Sequence, residues 1–203
     1  MTITYELGDS LYINMTNRCT NSCDFCLRND TDHVGNSQSL WLEREPSFEE
    51  IKNDIDKRDL SQYKNIVFCG FGEPVIRLYD LLKVAKYIKT KCDIPVRINT
   101  NGQGDLIFGE DISSQFEGLI DVVSISLNAK NADEYMEICH PKYGLDTFYS
   151  IIKFAKECKK YVPKVVFTVV DSMPKEDIEA CREIAQRTGV DFRIREYITA
   201  END

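Results

Sequence analysis

The sequence predicts an α/β protein in which a parallel sheet of six strands is covered by helices. Strand-like and helix-like segments alternate almost from end to end, without a repeat, linker or low-complexity segment. A closed eight-stranded barrel takes about 250 residues, whereas this chain has 203. Six βα units in this length suit an open, partial barrel, although periodicity does not separate it from a doubly wound sheet. We expect one domain over residues 1–203.

The predicted strands are six short runs dominated by apolar residues. They lie at 11–15, 65–69, 95–99, 121–127, 165–170 and 191–195. Helices are predicted between them from apolar stripes and capping residues. Ser47 and Glu50 form a capping box, Asn131 and Glu134 cap a short helix, and Pro174 opens the last helix. The other predicted helices are a stripe from about 78 to 88, a weak helix at 104–116 and a longer one at 146–160.

Composition and charge argue against several classes of protein. No apolar stretch approaches 18 residues, so no transmembrane helix and no membrane partner are predicted. The first residues lack the basic and apolar regions of a secretory signal, so we expect a cytoplasmic protein. A net charge of −9 argues against a broad nucleic-acid-binding surface but leaves room for a local basic patch. Eight cysteines without a signal indicate reduced thiols and metal binding instead of disulfides.

Cys19, Cys23 and Cys26 stand in the spacing C-x3-C-x2-C directly after the first predicted strand. Three thiolates on one tight loop can hold three irons of a [4Fe–4S] cluster, which leaves the fourth iron open to a small molecule. Phe25 precedes the last cysteine and could shield the cluster from water. A zinc knuckle is the alternative, although zinc sites usually show four ligands. The nearest further ligand here is His33, in a polar loop.

Polar or small residues occur where the other predicted strands end. Because ligands bind at the carboxyl ends of parallel strands, these positions predict the binding site of a polar cofactor. They comprise Gly70, Phe71, Gly72 and Glu73 after the second strand, Asn99 and Asn101 after the third, Ser124, Ser126 and Asn128 at the fourth, and Arg193 and Arg195 in the sixth.

The cysteine spacing, its place after a first strand and Phe25 together resemble the radical S-adenosylmethionine (radical SAM) superfamily. The resemblance implies a (βα)6 partial barrel and a [4Fe–4S] cluster bound by Cys19, Cys23 and Cys26. It also implies that the open iron binds the amino and carboxylate groups of S-adenosylmethionine. One electron then cleaves this molecule to methionine and a 5′-deoxyadenosyl radical, which abstracts hydrogen from a substrate. Within the superfamily, the chain most resembles the small TatD-associated radical SAM proteins, whose name implies no reaction.

The resemblance also implies contacts to S-adenosylmethionine. The segment 70–73 resembles the glycine-rich, glutamate-ending motif that binds the amino group, with Phe71 in place of one glycine. The ribose contacts are expected from Ser126 and Asn128 and, as a second pair, Asn99 and Asn101. Arg195 is expected to reach the carboxylate or the substrate, an exposed arginine being the alternative.

Several expectations concern the remaining cysteines, the substrate and the partners. Cys139 follows the fourth strand on a short helix that could roof the site, where a thiol could donate hydrogen to a substrate radical. Cys92, Cys158 and Cys181 are expected to be small buried hydrophobes, and Cys69 could lie under the cofactor.

The irregular segment 28–46 is expected to contribute to substrate selection. Electrons are expected from ferredoxin or flavodoxin. A glycyl-radical-enzyme activase, an RNA- or peptide-modifying enzyme and a non-catalytic zinc-binding interaction module are the alternatives.

Overall fold

A computed structural model describes residues 1–197 and contains one sheet of seven strands. The strands are β1 (Thr4–Leu7), β2 (Ser10–Ile13), β3 (Asn65–Phe68), β4 (Val96–Thr100), β5 (Val122–Ser126), β6 (Lys164–Val170) and β7 (Asp191–Arg195). Their spatial order follows the chain from β1 to β7, and every pair from β2 onward is parallel. Within residues 1–197 no pairing joins β7 back to β1, so the sheet is open. The predicted partial barrel is confirmed.

The expected count of six strands is wrong, because β1 and β2 form an antiparallel hairpin at one edge. The two strands meet at a tight turn in which Gly8 has a positive φ of 59°, a conformation that glycine adopts without steric cost. Strand β1 is the short, mixed segment TYEL. Such a segment carries little strand signal of its own, so its pairing with β2 was not predicted.

Within the described residues, six helices connect the parallel strands. They are α1 (Phe48–Ile55), α2 (Leu78–Lys89), α3 (Gly104–Phe108), α4 (Ala132–Cys139), α5 (Thr147–Cys158) and α6 (Lys175–Thr188). The capping box of Ser47 and Glu50 and the cap at Asn131 are confirmed. The single helix expected at 104–116 is wrong. Helix α3 stops at Gly109, which has a φ of 72°, and only a 3-10 turn follows at Ser113–Phe116.

The two faces of the sheet differ sharply in polarity because side chains alternate along each strand. One face packs against the helices and is fully buried, as at Ile13, Phe68, Ile98 and Ile125. Each such side chain contributes roughly 1.5–3 kcal/mol to stability. The concave face is polar instead. It carries Tyr12, Arg97, Asn99, Ser124, Ser126, Thr168, Arg193 and Arg195.

The segment 28–46 crosses the hairpin edge without regular structure beyond a 3-10 turn at Leu27–Asn29. Its Val34 and Leu40 form a small second core with Tyr5 and Phe71. This contact fixes the segment beside the carboxyl ends of the strands. In the part of the chain that the structure describes, no helix has the length and apolarity needed to cross a bilayer.

Candidate active site

A cavity of about 560 Å³ opens at the carboxyl ends of the strands. Its size falls within the range of small-molecule sites. All three cysteines of the C-x3-C-x2-C motif line it, together with the loop after β3 and the concave face of the sheet. The structure therefore brings the predicted site residues to one place, apart from Cys139, which lies outside this lining.

The segment leading into the cysteine loop is held by partly buried polar contacts. Asn17 and Leu42 exchange two hydrogen bonds, from the Asn17 amide to the Leu42 carbonyl (2.7 Å) and from the Leu42 N–H to Asn17 Oδ1 (3.0 Å). The Thr16 hydroxyl donates to Glu45 (2.6 Å), and the Arg77 guanidinium donates to the Met15 carbonyl (3.0 Å). These contacts place the cysteine loop before any ligand binds.

The glycines of segment 70–73 permit a close backbone approach to this entry segment. A Cβ atom on Gly72 would lie 2.3 Å from the Thr16 carbonyl oxygen and 2.5 Å from that of Arg18. A Cβ on Gly70 would lie 2.1 Å from Asn14 Oδ1. The Glu73 N–H also donates to the Arg18 carbonyl (2.8 Å). Glycine at 72 is required for this packing, because the neighbouring atoms are backbone.

The three thiols differ in electrostatic environment. Burial raises the pKa of Cys19 to about 11 and also raises that of Cys26. A hydrogen bond from the Cys139 thiol lowers the pKa of Cys23. The Cys19 sulfur lies 3.5 Å from the Asn21 N–H and 3.9 Å from the Asn101 amide nitrogen. Such N–H groups stabilise a metal-bound thiolate, and they tune the potential of an iron–sulfur cluster.

The arrangement of the thiols fits a cluster better than a single metal ion. A tetrahedral zinc, with Zn–S bonds of about 2.3 Å, requires its ligands to converge on one point. No group of three or more His, Cys, Asp or Glu residues within 1–197 converges in this way. Cysteines of a [4Fe–4S] cluster each bind a different iron. The donor set therefore fits this cluster.

Glu73 is buried and engaged with the protein. Its carboxylate accepts hydrogen bonds from the Val75 N–H (3.0 Å), the Thr100 hydroxyl (2.8 Å) and the Asn101 N–H (2.6 Å). Burial raises its pKa to about 7 against these stabilising bonds. The carboxylate therefore joins the loops after β3 and β4. The sequence predicted that Glu73 contacts an ammonium group. It did not predict that Glu73 joins these two loops.

The four predicted ribose contacts fall into two kinds. Asn101 uses both ends of its amide inside the protein, since it donates to the Thr20 hydroxyl (2.8 Å) and accepts from the Gln103 N–H (3.1 Å). Asn99 and Asn128 each keep a buried Oδ1 atom without a partner in the described chain, and Ser126 lines the same cavity. Asn128 adopts a φ of 57°, which turns its short side chain into this region at a backbone conformation that asparagine tolerates.

Unpartnered buried atoms concentrate at this cavity. Eight buried side-chain N or O atoms in residues 1–197 have no hydrogen-bond partner, and four of them belong to Arg97, Asn99, Asn128 and Arg195, which line it. Buried polar groups are normally paired. Two acceptors and two donors facing one cavity therefore fit a polar ligand that carries both hydroxyl and anionic groups.

Cys139 does not occupy the position expected of a hydrogen donor to a substrate. It is fully buried at the end of α4, and it is absent from the cavity lining. Its carbonyl accepts from the Ser22 N–H (3.0 Å) and from the Cys23 thiol (3.8 Å). The apolar face of α4 turns it inward, so the structure does not bring it to the cavity, and its role as a hydrogen donor stays a prediction. Of the other cysteines, Cys158 and Cys181 are buried as expected, Cys92 is half-buried, and Cys69 lines the cavity.

The sequence-based prediction missed a buried network under the cysteine loop. The Gln103 amide donates to Asn21 Oδ1 (2.6 Å) and to the Tyr135 hydroxyl (3.2 Å), and the Asn21 amide also donates to Tyr135 (2.9 Å). Arg97 was missed as well, because the prediction considered mainly residues at the strand ends and Arg97 lies inside β4. The alternation of Arg97 with Asn99 along β4 is the signal that would have found it.

The sequence model of the Radical SAM superfamily matches residues 13–188. The chain belongs to this superfamily. Its enzymes use a [4Fe–4S] cluster and S-adenosylmethionine, and they need a reductant and a substrate. The likeness to the TatD-associated group stays a prediction.

Two curated proteins are similar in sequence to this chain. The GTP 3′,8-cyclase of Clostridium perfringens strain SM101 is 25% identical over 193 residues, which are 94% of this chain and 55% of that protein. The GTPase Obg of Brachyspira hyodysenteriae is 30% identical over 146 residues, which are 71% of this chain and 21% of that protein. The chain thus spans about half of the first relative and a fifth of the second.

Solved structures share the fold at low sequence identity. Streptococcus suis SuiB bound to S-adenosylmethionine matches with a TM-score of 0.62 and 16% identity over 96% of this chain and 39% of that one. HydG, a maturase of the [FeFe]-hydrogenase, matches with a TM-score of 0.64 and 16% identity over 93% of this chain and 42% of that one. These likenesses show the partial-barrel fold.

Proposed function

We propose that the protein reductively cleaves S-adenosylmethionine with a [4Fe–4S] cluster bound by Cys19, Cys23 and Cys26. The observation that carries the proposal is the sharing of one cavity by these thiols and the unpartnered acceptors of Asn99 and Asn128. When bound, the reduced cluster supplies the electron that converts S-adenosylmethionine to methionine and a 5′-deoxyadenosyl radical, which abstracts hydrogen from the substrate.

The chain's own residues bind and orient the cofactors in this proposal. The backbone of Gly70, Phe71 and Gly72 offers polar groups to the methionine amino group, because these residues line the cavity beside the cysteine loop. Glu73 holds that backbone in place through its bonds to the loop after β4. Phe25 is half-buried at the cavity wall and excludes water from the cysteines.

The ribose is assigned to acceptors that have no competing partner. Asn99 and Asn128 present buried Oδ1 atoms, and Ser126 adds a hydroxyl that both donates and accepts. Ribose hydroxyls would satisfy these acceptors. Asn101, whose amide is already engaged, supports the loop instead.

The electron and the substrate come from outside the chain. We assign the electron to a ferredoxin or flavodoxin, because Cys69 is the only described cysteine outside the motif that lines the cavity, whereas a second cluster needs several thiolates. The alternatives for the overall reaction are activation of a glycyl-radical enzyme and modification of RNA or a peptide. The acidic net charge of −9 weighs against RNA. A zinc-binding module is the non-catalytic alternative.

The experiment measures 5′-deoxyadenosine released by anaerobically reconstituted protein given S-adenosylmethionine and dithionite. Wild type and Cys92→Ala are expected to release it, whereas Cys23→Ala is not. Cys92 is a matched control because it is also half-buried but lies away from the cavity. Undiminished release by Cys23→Ala, or one zinc per chain in place of about four irons, would contradict the proposal.

A further inference from the structure

The concave face of the sheet carries three arginines without an acidic partner in the described chain. Arg97 lies in the middle of β4, and Arg193 and Arg195 lie on β7. None of them is within ion-pair distance of a carboxylate in the part of the chain described. The chain holds 34 acidic residues against 25 basic ones. Elsewhere, the buried Arg77 is paired with both Asp80 and Glu45. Three arginines left without such partners in an acidic protein require an explanation.

The sheet register places the three guanidinium groups on the same concave surface. Arg193 lies opposite Thr168 on β6, and its Nη2 reaches over that strand to the Ser124 hydroxyl on β5 at 3.4 Å. Ser124 in turn lies opposite Asn99, which is two residues beyond Arg97 on the same face of β4. Arg195 follows Arg193 by two residues and therefore shares its face.

The contacts of these arginines within the protein are weak. Arg97 Nη2 lies 3.3 Å from the Tyr12 hydroxyl, and Arg193 Nη2 lies 3.4 Å from Ser124 Oγ, both long for hydrogen bonds and both to neutral groups. Arg97 Nε and Arg195 Nε are buried without a partner. Burial lowers the pKa of Arg193 first, and the positive charges of Arg97 and Arg195 lower it further. Arg193 is therefore repelled by the other two arginines, and Arg97 and Arg195 each keep a buried N–H without a partner.

The remaining charges of the cavity do not neutralise the arginines. Its acidic lining residues within 1–197 are Glu73 and Glu196. Glu73 is buried and accepts three hydrogen bonds from Val75, Thr100 and Asn101. Arg28 adds a fourth positive charge beside the cysteine loop. An anion that enters the cavity would therefore find uncompensated positive charge on the concave face.

We propose that Arg97, Arg193 and Arg195 bind a phosphate group of the substrate, which makes the substrate a phosphorylated small molecule. The inference rests on the proposed function, since it concerns the molecule that meets the radical. A guanidinium presents paired N–H donors that match carboxylate and phosphate oxygens. Three guanidiniums offer more donors than the two oxygens of a carboxylate accept. A phosphate ester offers three terminal oxygens and up to two negative charges.

The sheet register sets the level of each arginine along the strands. Arg97 lies two residues before Asn99 and therefore one layer of side chains below it. Arg193 pairs with Thr168, which pairs with Ser126. Arg193 is therefore level with Ser126, and Arg195 lies one layer above it. A phosphate held by these arginines would lie beside the residues assigned to the ribose. Arg195 is assigned to the substrate and not to the carboxylate of S-adenosylmethionine.

The test measures binding of inorganic phosphate by titration calorimetry to the anaerobically reconstituted protein with S-adenosylmethionine present. Wild type and Arg187→Gln, a change of the same charge on an exposed part of α6, are expected to bind equally. Arg97→Gln and Arg193→Gln are each expected to bind at least tenfold more weakly. Malonate and sulfate are titrated in parallel. If malonate binds more tightly than phosphate, the substrate group at the arginines is a dicarboxylate and the proposal is overturned. Equal phosphate binding by all variants would also contradict it.

A second measurement, of the unfolding temperature, shows whether a variant that binds phosphate weakly is still folded. Because the other two arginines repel Arg193, Arg193→Gln is expected to unfold at the wild-type temperature or above it. Phosphate is expected to raise the unfolding temperature of wild type and Arg187→Gln more than that of Arg193→Gln. A lower unfolding temperature in Arg193→Gln would contradict the repulsion. Release of 5′-deoxyadenosine without phosphate binding would overturn only this inference. Phosphate binding without that release would overturn the proposed function.

Discussion

Substitution of Gly72 by alanine tests the packing that positions the cysteine loop. The new Cβ would lie 2.3 Å from the Thr16 carbonyl oxygen, whereas ordinary contacts begin at 3.4 Å. The difference requires a displacement of about 1 Å in backbone that neighbours Cys19. The same displacement strains the hydrogen bond from the Glu73 N–H to the Arg18 carbonyl (2.8 Å).

The expected loss of stability follows from these two effects. Overpacking costs about 1–3 kcal/mol, and a strained hydrogen bond adds about 1 kcal/mol. The sum of roughly 2–4 kcal/mol corresponds to a fall in melting temperature on the order of 5 to 15 °C. Iron content after reconstitution is expected to fall as well, because the displaced backbone carries the first cysteine.

Gly118→Ala is the matched control. Gly118 has a φ of 70° and nothing within 4 Å of a built Cβ, so alanine there adds backbone strain of about 1–2 kcal/mol without touching the cysteine loop. Thermal unfolding and iron analysis of both variants test the predicted losses of stability and iron. If Gly72→Ala held as much iron as Gly118→Ala and unfolded at the same temperature, the reasoning would be refuted.

Two further predictions concern buried polar groups of the site. The pKa of Glu73 is raised from 4.5 to about 7 by burial, so the unfolded chain loses this proton first as the pH rises. The contribution of Glu73 to stability is therefore complete below about pH 4.5 and falls by up to about 3 kcal/mol by pH 7 and above. Urea unfolding of wild type and Glu73→Gln at pH 5 and pH 7.5 checks this, and an equal pH dependence in both proteins would count against it. Asn128→Ala is expected to weaken binding of S-adenosylmethionine by up to about tenfold, since one hydrogen bond contributes about 0.5–1.5 kcal/mol. Calorimetry of the reconstituted protein measures it, and unchanged affinity would remove Asn128 from the ribose site.

The sequence predicted the parts of the fold that depend on local pattern. The capping box at Ser47, the stripes of α2 and α5 and the polar strand ends are all legible in short windows, and all are present in the structure. The missed features depend on distant contacts. Strand β1 exists because it pairs with β2, and Glu73 is occupied because Thr100 and Asn101 approach it from the next loop. The burial of Cys139 likewise depends on the packing of α4 against the main core.

Electron paramagnetic resonance of the reduced protein tests the central claim most directly. The account places three thiolates on three irons and leaves the fourth iron to S-adenosylmethionine. We therefore expect a paramagnetic [4Fe–4S] signal in wild type whose g values shift when S-adenosylmethionine is added. A signal that S-adenosylmethionine leaves unchanged, or a reconstituted protein that holds no iron, would contradict the account.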